Sequence, residues 1–174
     1  RNRGVQMVLD AIVDYLPSPL DIPPMRGHNP DNKEELIVRK PDENESPVGL
    51  VFKIASDKYV GKIFYTRIYA GKFTQGQQYL NSSNGKREKI AKMLLMHANK
   101  QEIVNSAGPG EIVALVGLKE SKSGDTICAE DKPMLLEGLK PPEAVISLAI
   151  EPLTKADQDK MGEVLRKFLD EDPS

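Results

Sequence analysis

Gln77-Gln78-Tyr79-Leu80-Asn81-Ser82-Ser83-Asn84-Gly85-Lys86-Arg87-Glu88-Lys89-Ile90 reads as two strands folded back on each other. Asn84-Gly85 lies between strand-like runs, and both residues tolerate the positive φ that tight hairpin turns need. The same pattern repeats outward from this point. Val48–Ile54, Lys62–Tyr69, Gln77–Asn81, Lys86–Met96, Gln101–Val104 and Glu111–Leu118 are short runs rich in Val, Ile, Phe and Tyr, punctuated by Gly, Asn or Ser. Six or seven short strands with no helix between them predict a mainly β fold, a closed or nearly closed β-barrel that removes exposed edges. Residues 129–142, with Pro133, Pro141 and Pro142, read as a final strand and an exit linker.

The flanks follow a different rule. Val5, Val8/Leu9, Ile12/Val13 and Leu16 recur at helical period, and Pro17 and Pro19 stop that helix. Residues 26–47 are polar and broken by Gly and Pro, so they read as a connector with one short strand around Leu36–Val38. Ala144–Ile150 reads as a buried-type strand. Thr154 and Asp157 after it have capping-box spacing, and Met161, Val164/Leu165 and Phe168 form one face of the helix that follows. One strand and one helix cannot bury a core, so residues 141–174 read as the opening of a further domain, after units at 1–20 and 21–140.

Charge is segregated. Residues 53–100 carry ten Lys/Arg against two acidic side chains, while the whole 174-residue chain has a formal charge of −2, so the remaining residues sum to −10. Seven of the nine aromatics fall between Phe52 and Tyr79. A basic, aromatic-bearing module between acidic flanks is the sequence footprint of a polyanion-binding surface; its ordinary alternative is a solvated strand face over core aromatics. One cysteine, Cys128, excludes an internal disulfide and indicates a reducing, cytoplasmic setting. Two histidines and one thiol supply no transition-metal cluster by spacing, and no run approaches the ~18 apolar residues of a membrane span. The start, Arg1-Asn2-Arg3-Gly4, has neither initiator Met nor signal peptide, which reads as a piece of something longer. Asn44-Glu45-Ser46 and Asn81-Ser82-Ser83 match the glycosylation acceptor pattern, which a cytosolic chain does not use.

Further motifs run along the chain: Gly4-Val5-Gln6, Leu9-Asp10-Ala11-Ile12-Val13-Asp14-Tyr15-Leu16-Pro17-Ser18-Pro19, Val60-Gly61-Lys62 and Arg67-Ile68-Tyr69-Ala70-Gly71. They continue with Met96-His97-Ala98-Asn99, Val116-Gly117-Leu118-Lys119, Ser123-Gly124-Asp125-Thr126 and Glu151-Pro152-Leu153-Thr154-Lys155-Ala156-Asp157-Gln158. With the order of elements, these motifs resemble bacterial translation elongation factor G along essentially the whole chain. The resemblance implies a translation-factor-type β-barrel as second domain, preceded by the last helix of a GTPase domain and followed by the start of a third domain. It implies GTP or GDP and Mg in the full-length parent and none here. Its implied partners are small-subunit rRNA of the ribosome, the GTPase domain and the rest of the third domain, with no membrane. Ala144 after Pro142-Glu143, and the turn Gly108-Pro109-Gly110, depart from the family pattern and leave the paralogue open. Ribosome-protecting tetracycline-resistance proteins share the barrel. A stand-alone RNA-binding barrel and a flavin-dependent barrel reductase are the readings from other classes.

Candidate rRNA contacts are Lys62, Arg67, Lys72, Lys86, Arg87 and Lys89. Alternation places Arg87 and Lys89 on one face and Lys86 and Glu88 on the other, with Lys62, Arg67 and Lys72 extending the patch along a neighbouring strand. Phosphate contacts of this kind position a protein rather than read sequence. No glycine-rich loop ending in Lys-Ser/Thr is present, so the chain is expected not to hydrolyse GTP. Thr154-Lys155-Ala156-Asp157 and Asp159-Lys160-Met161-Gly162 mimic nucleotide motifs but are explained by a helix cap and helix. Phe64, Tyr65 and Tyr69 are expected in packing rather than base stacking. His97 is expected at a strand end with a structural hydrogen bond, and Cys128 as a packed thiol. Pro17–Pro24 and Pro141–Glu143 are expected hinges.

Overall fold

A computed structural model describes residues 3–57, 60–98, 100–138, 146–152 and 154–171. The order is α1 (Val5–Tyr15), β1 (Met25–His28), β2 (Leu36–Arg39), β3 (Val48–Asp57), β4 (Gly61–Ala70), β5 (Phe73–Thr74) and β6 (Gln78–Asn81). It continues with β7 (Lys86–Lys89), β8 (Lys92–His97), β9 (Lys100–Ile103), β10 (Ser106–Ala107), β11 (Ile112–Val116), β12 (Thr126–Cys128) and α2 (Lys155–Glu171). The fold is mainly β, with antiparallel pairing throughout.

Among the described residues, eight strands form one sheet in the order β7-β6-β12-β3-β4-β11-β8-β9. Its two ends approach through a small second sheet: β10 continues the chain beyond β9, and it pairs with β5, which leads into β6. Gln75 N–H donates to Asn105 O at 2.9 Å in the same seam, so the sheet wraps into a barrel. Alternate side chains of the strands point inward. Val51, Ile54, Phe64, Ile68, Phe73, Ile90, Met93, Val113, Leu115 and Ile127 make the interior, each at most 2% exposed. Burying a side chain of this size contributes about 1.5–3 kcal/mol relative to exposure, so this cluster is a main source of the fold's stability.

The run expected as one strand over Lys86–Met96 is broken at Ile90-Ala91, because the chain changes partner there. Ile90 N–H still bonds Gln77 O at 3.1 Å, while Ala91 N–H turns to Val116 O at 2.8 Å. Gly117 makes this corner possible: its φ is +103°, and a Cβ on it would lie 2.7 Å from the Ala91 Cβ. Only glycine combines that backbone with that approach.

Residues 26–47 are not merely a connector with one strand. β1 and β2 form a hairpin, with Met25 opposite Arg39 and His28 opposite Leu36. This hairpin covers a second core of Val48, Leu50, Ala70, Cys128, Met134 and Leu136, against which Met25 and Ile37 pack. His28 and Leu135 exchange two backbone bonds of 2.8 Å, and a Cβ on Gly27 would lie 2.5 Å from Leu135 O. Residues 129–138 carry only this single bridge, so the expected final strand is replaced by Thr126–Cys128, which fills the slot between β6 and β3.

α1 forms as the periodicity predicts and ends at the prolines, with Leu16 already extended at φ −93°, ψ 123° as a pre-proline residue should be. No residue of α1 is buried. The stretch Ile146–Ile150 is not the expected buried strand: it pairs with no described strand, and Ile146, Leu148 and Ile150 are exposed. Extended backbone becomes strand only when a neighbour accepts its bonds. α2 begins at the expected cap, with Thr154 Oγ1 donating to Asp157 Oδ2 at 2.6 Å and accepting from Asp157 N–H at 3.2 Å. Pro141–Glu143 and Ala144 lie outside the described residues.

Candidate nucleic-acid interface

The six candidate cations divide into one cluster and three separated positions. The cluster is the β6–β7 hairpin. Its turn is wider than the two-residue form that Asn84-Gly85 suggests, because Asn81 Oδ1 accepts from Ser83 N–H at 3.0 Å and Asn84 N–H at 3.3 Å. Residues 82–85 therefore form the loop, closed by Gly85 N–H on Asn81 O at 2.8 Å, with φ positive only at Gly85. Asn81, in the acceptor pattern Asn81-Ser82-Ser83, is fully buried and unavailable for modification in the folded chain.

Register sets the faces of the hairpin. Tyr79 lies opposite Glu88 and both are buried, whereas Leu80 lies opposite Arg87 and Gln78 opposite Lys89 on the outer face. Glu88 is 2% exposed and turns inward to the loop after β11. Its carboxylate accepts from Lys119 N–H at 2.9 Å, Glu120 N–H at 2.8 Å and Ser121 Oγ–H at 3.0 Å. Asn81 Nδ2–H donates to Ser121 Oγ at 3.1 Å and Asp125 Oδ2 at 2.8 Å, so hairpin and loop form one polar network. A carboxylate with three donors is held in one rotamer. It locks β7 so that Arg87 and Lys89 face solvent.

Two of the three hairpin cations already have counterions. Lys86 Nζ lies 3.0 Å from Glu120 Oε2, and Arg87 Nε donates to Glu130 Oε1 at 2.9 Å. Lys89 is exposed and has no carboxylate partner among the described residues. Glu120 and Glu130 come from the loops before and after β12, 34 and 43 positions away from their partners. Sequence reading missed them because only the sheet order makes them neighbours.

The other three cations do not extend this patch along an adjacent strand. β4 is separated from β7 by β6, β12 and β3. Arg67 is half-buried in a cleft that Pro19, Ile22, Pro23 and Pro41 line, where the segment after α1 rests on the barrel. Lys62 lines a cleft with Asp159, Glu163 and Arg166 of α2. Lys72 lies 3.5 Å from Glu43.

The remaining expectations resolve individually. Phe64 is in the core and Tyr65 and Tyr69 are half-buried, Tyr65 against Phe52 with ring centroids 6.4 Å apart, so no exposed row of rings offers a stacking platform among the described residues. His97 ends β8 exposed, with no side-chain hydrogen bond among the described residues. Burial pushes the Cys128 thiol above its ordinary range, as befits a packed sulfhydryl. Thr154 and Asp157 are occupied in capping α2, and Asp159 and Gly162 lie within that helix. No group of three or more ligating side chains converges among the described residues, and none of their helices is long and apolar enough to cross a membrane.

Comparison with known proteins agrees with this architecture. The model of elongation factor G domain 2 matches residues 46–130, and that of elongation factor G domain III matches residues 141–174. Elongation factor G of Thermotoga maritima is 49% identical over 99% of this chain, and that of Thermotoga petrophila 50% over the same share. The chain spans 25% of the length of these relatives. A solved crystal structure from Thermus thermophilus superimposes with a TM-score of 0.72 at 22% identity, covering 98% of this chain and 23% of that one, which shows a shared fold. Two successive domain matches, with about half the residues identical across nearly the full 174, place the chain in the elongation factor G family.

Proposed function

We propose that this chain is a non-catalytic part of a cytoplasmic GTPase that promotes ribosomal translocation of tRNA and mRNA. Its barrel docks on small-subunit rRNA and couples the GTPase domain to later domains. The observation that carries the docking role is the outer face of β7, where Arg87 and Lys89 project to solvent from a strand whose one intervening side chain is locked inward. Such contacts are with phosphates, so they fix position rather than read sequence. In this reading the second domain is residues 21–140; support comes from the β1–β2 hairpin, which packs on the second core and bonds Leu135. The proline segment from Pro17 to Pro24 serves as the hinge toward the GTPase domain.

Reversing Arg87→Glu and Lys89→Glu together tests the docking role. Association with small ribosomal subunits is expected to weaken, and its dependence on salt to flatten by about 0.7–0.9 for each phosphate no longer neutralised. Unchanged binding at low salt removes the hairpin from the interface. The non-catalytic assignment has its own test: protein-dependent GTP turnover by the purified chain would overturn it.

A further inference from the structure

Two of the three hairpin cations, Lys86 and Arg87, are held by carboxylates of the same domain. Lys86 and Glu120 are 57% and 56% exposed, and Arg87 and Glu130 are 63% and 53% exposed. All four side chains are more than half exposed, so a phosphate approaching the hairpin meets them directly. Glu120 is also the better placed of the two acids, because its own backbone N–H is fixed by the Glu88 carboxylate. Glu130 lies just beyond β12, whose Cys128 pairs with Leu80, the residue opposite Arg87. Both acids are therefore delivered to the cations by the sheet itself.

We infer that Glu120 and Glu130 are built-in competitors for the RNA phosphates, which keep the hairpin from binding polyanions tightly and set its affinity for RNA. This rests on the rRNA-docking reading above. A phosphate that binds Lys86 or Arg87 competes with the carboxylate already there and lies close to its negative charge. Lys89, which has no such partner, makes the first contact. Exposed pairs are weak enough to exchange and strong enough to matter: opening one opposes binding by about two- to fivefold. The surface thus discriminates between a shaped RNA site, where several contacts form together, and stray single-strand phosphates, where the competitors prevail.

The test measures binding of the 174-residue chain to purified small ribosomal subunits and to deproteinised small-subunit rRNA, across salt. Glu120→Gln and Glu130→Gln are expected to tighten binding to both by about two- to fivefold each at low salt. The gain should shrink as salt screens the pairs, so the salt dependence steepens. Glu163→Gln is the control: it removes the same charge from an exposed ion pair, with Lys167 at 2.8 Å, but on α2. It is expected to leave both affinities unchanged. An equal gain from Glu163→Gln would assign the effect to overall charge and overturn the inference. A gain on whole subunits that disappears on bare rRNA would place a protein opposite the hairpin and overturn it as well. If the Arg87→Glu, Lys89→Glu chain binds weakly while the Gln variants bind like the parent, competition is refuted and docking survives. If the double reversal changes nothing, docking itself fails.

Discussion

Removing the Glu88 carboxylate tests whether the inward residue of β7 organises the candidate surface. In Glu88→Ala three donors lose their acceptor: two backbone N–H groups at 2.9 and 2.8 Å and the Ser121 hydroxyl at 3.0 Å. A buried donor left without a partner costs about 1–3 kcal/mol. Lys119 and Glu120 are exposed residues whose bonds to Glu88 are only part-buried, so their share lies at the low end. Ser121 is 7% exposed, and its share is larger. The expected total is about 3–5 kcal/mol, a large fraction of the about 5–15 kcal/mol that holds a typical domain folded. Glu88→Gln keeps one acceptor oxygen and presents an amide N–H₂ to the other donors, so it should cost about half as much. Urea titration gives the stability, and amide hydrogen exchange at Lys119 and Glu120 gives the local effect. Both amides should lose protection more than the core strands do. An alanine variant within about 0.5 kcal/mol of the parent, or one whose two amides keep their protection, would refute the polar lock.

Other residues give sharper local tests. Gly71 has φ +67°, and a Cβ there would lie 2.4 Å from Pro47 N and 2.5 Å from Glu45 O, both backbone atoms. Gly71→Ala is therefore expected to destabilise the barrel by about 2 kcal/mol or more in thermal or urea unfolding. Thr154→Ala should remove about 1 kcal/mol from α2, seen as faster amide exchange in its first turn with the barrel midpoint unchanged. Burial raises the Cys128 thiol, so its reactive thiolate appears only at higher pH than in an exposed cysteine. A thiol reagent near neutral pH should leave the native chain unlabelled and modify it quantitatively in denaturant.

The parts of the fold legible in the sequence were those that local physics decides. Strand runs with period-two alternation, the helix stopped by Pro17, and the Thr154–Asp157 cap all formed. The parts that were not legible depend on partners distant in the chain. Thr126–Cys128 is three residues long, too short to show alternation, and is a strand because β6 and β3 flank it. Ile146–Ile150 has strand composition but no described neighbour to pair with. The site shows the same division. The outward direction of Arg87 and Lys89 followed from alternation, whereas the counterions Glu43, Glu120 and Glu130 lie 29 to 43 positions from their cations. A charge count by segment shows that basic and acidic stretches are separate, and only the fold shows that they meet again at the β6–β7 hairpin.

The proximity of β7 to rRNA is the claim that matters most, and one cysteine placed on it can report it directly. Because Cys128 is the sole native cysteine and is fully buried, Lys89→Cys supplies a single addressable thiol. An iron chelate tethered there and activated on the small subunit should cut small-subunit rRNA at a few discrete positions, while a tether at Glu34→Cys, in the β1–β2 loop, should not cut at those positions. Discrete cuts from position 89 alone are the predicted result. No cuts from position 89 under conditions where the chain is bound, or the same cuts from both positions, would contradict the account.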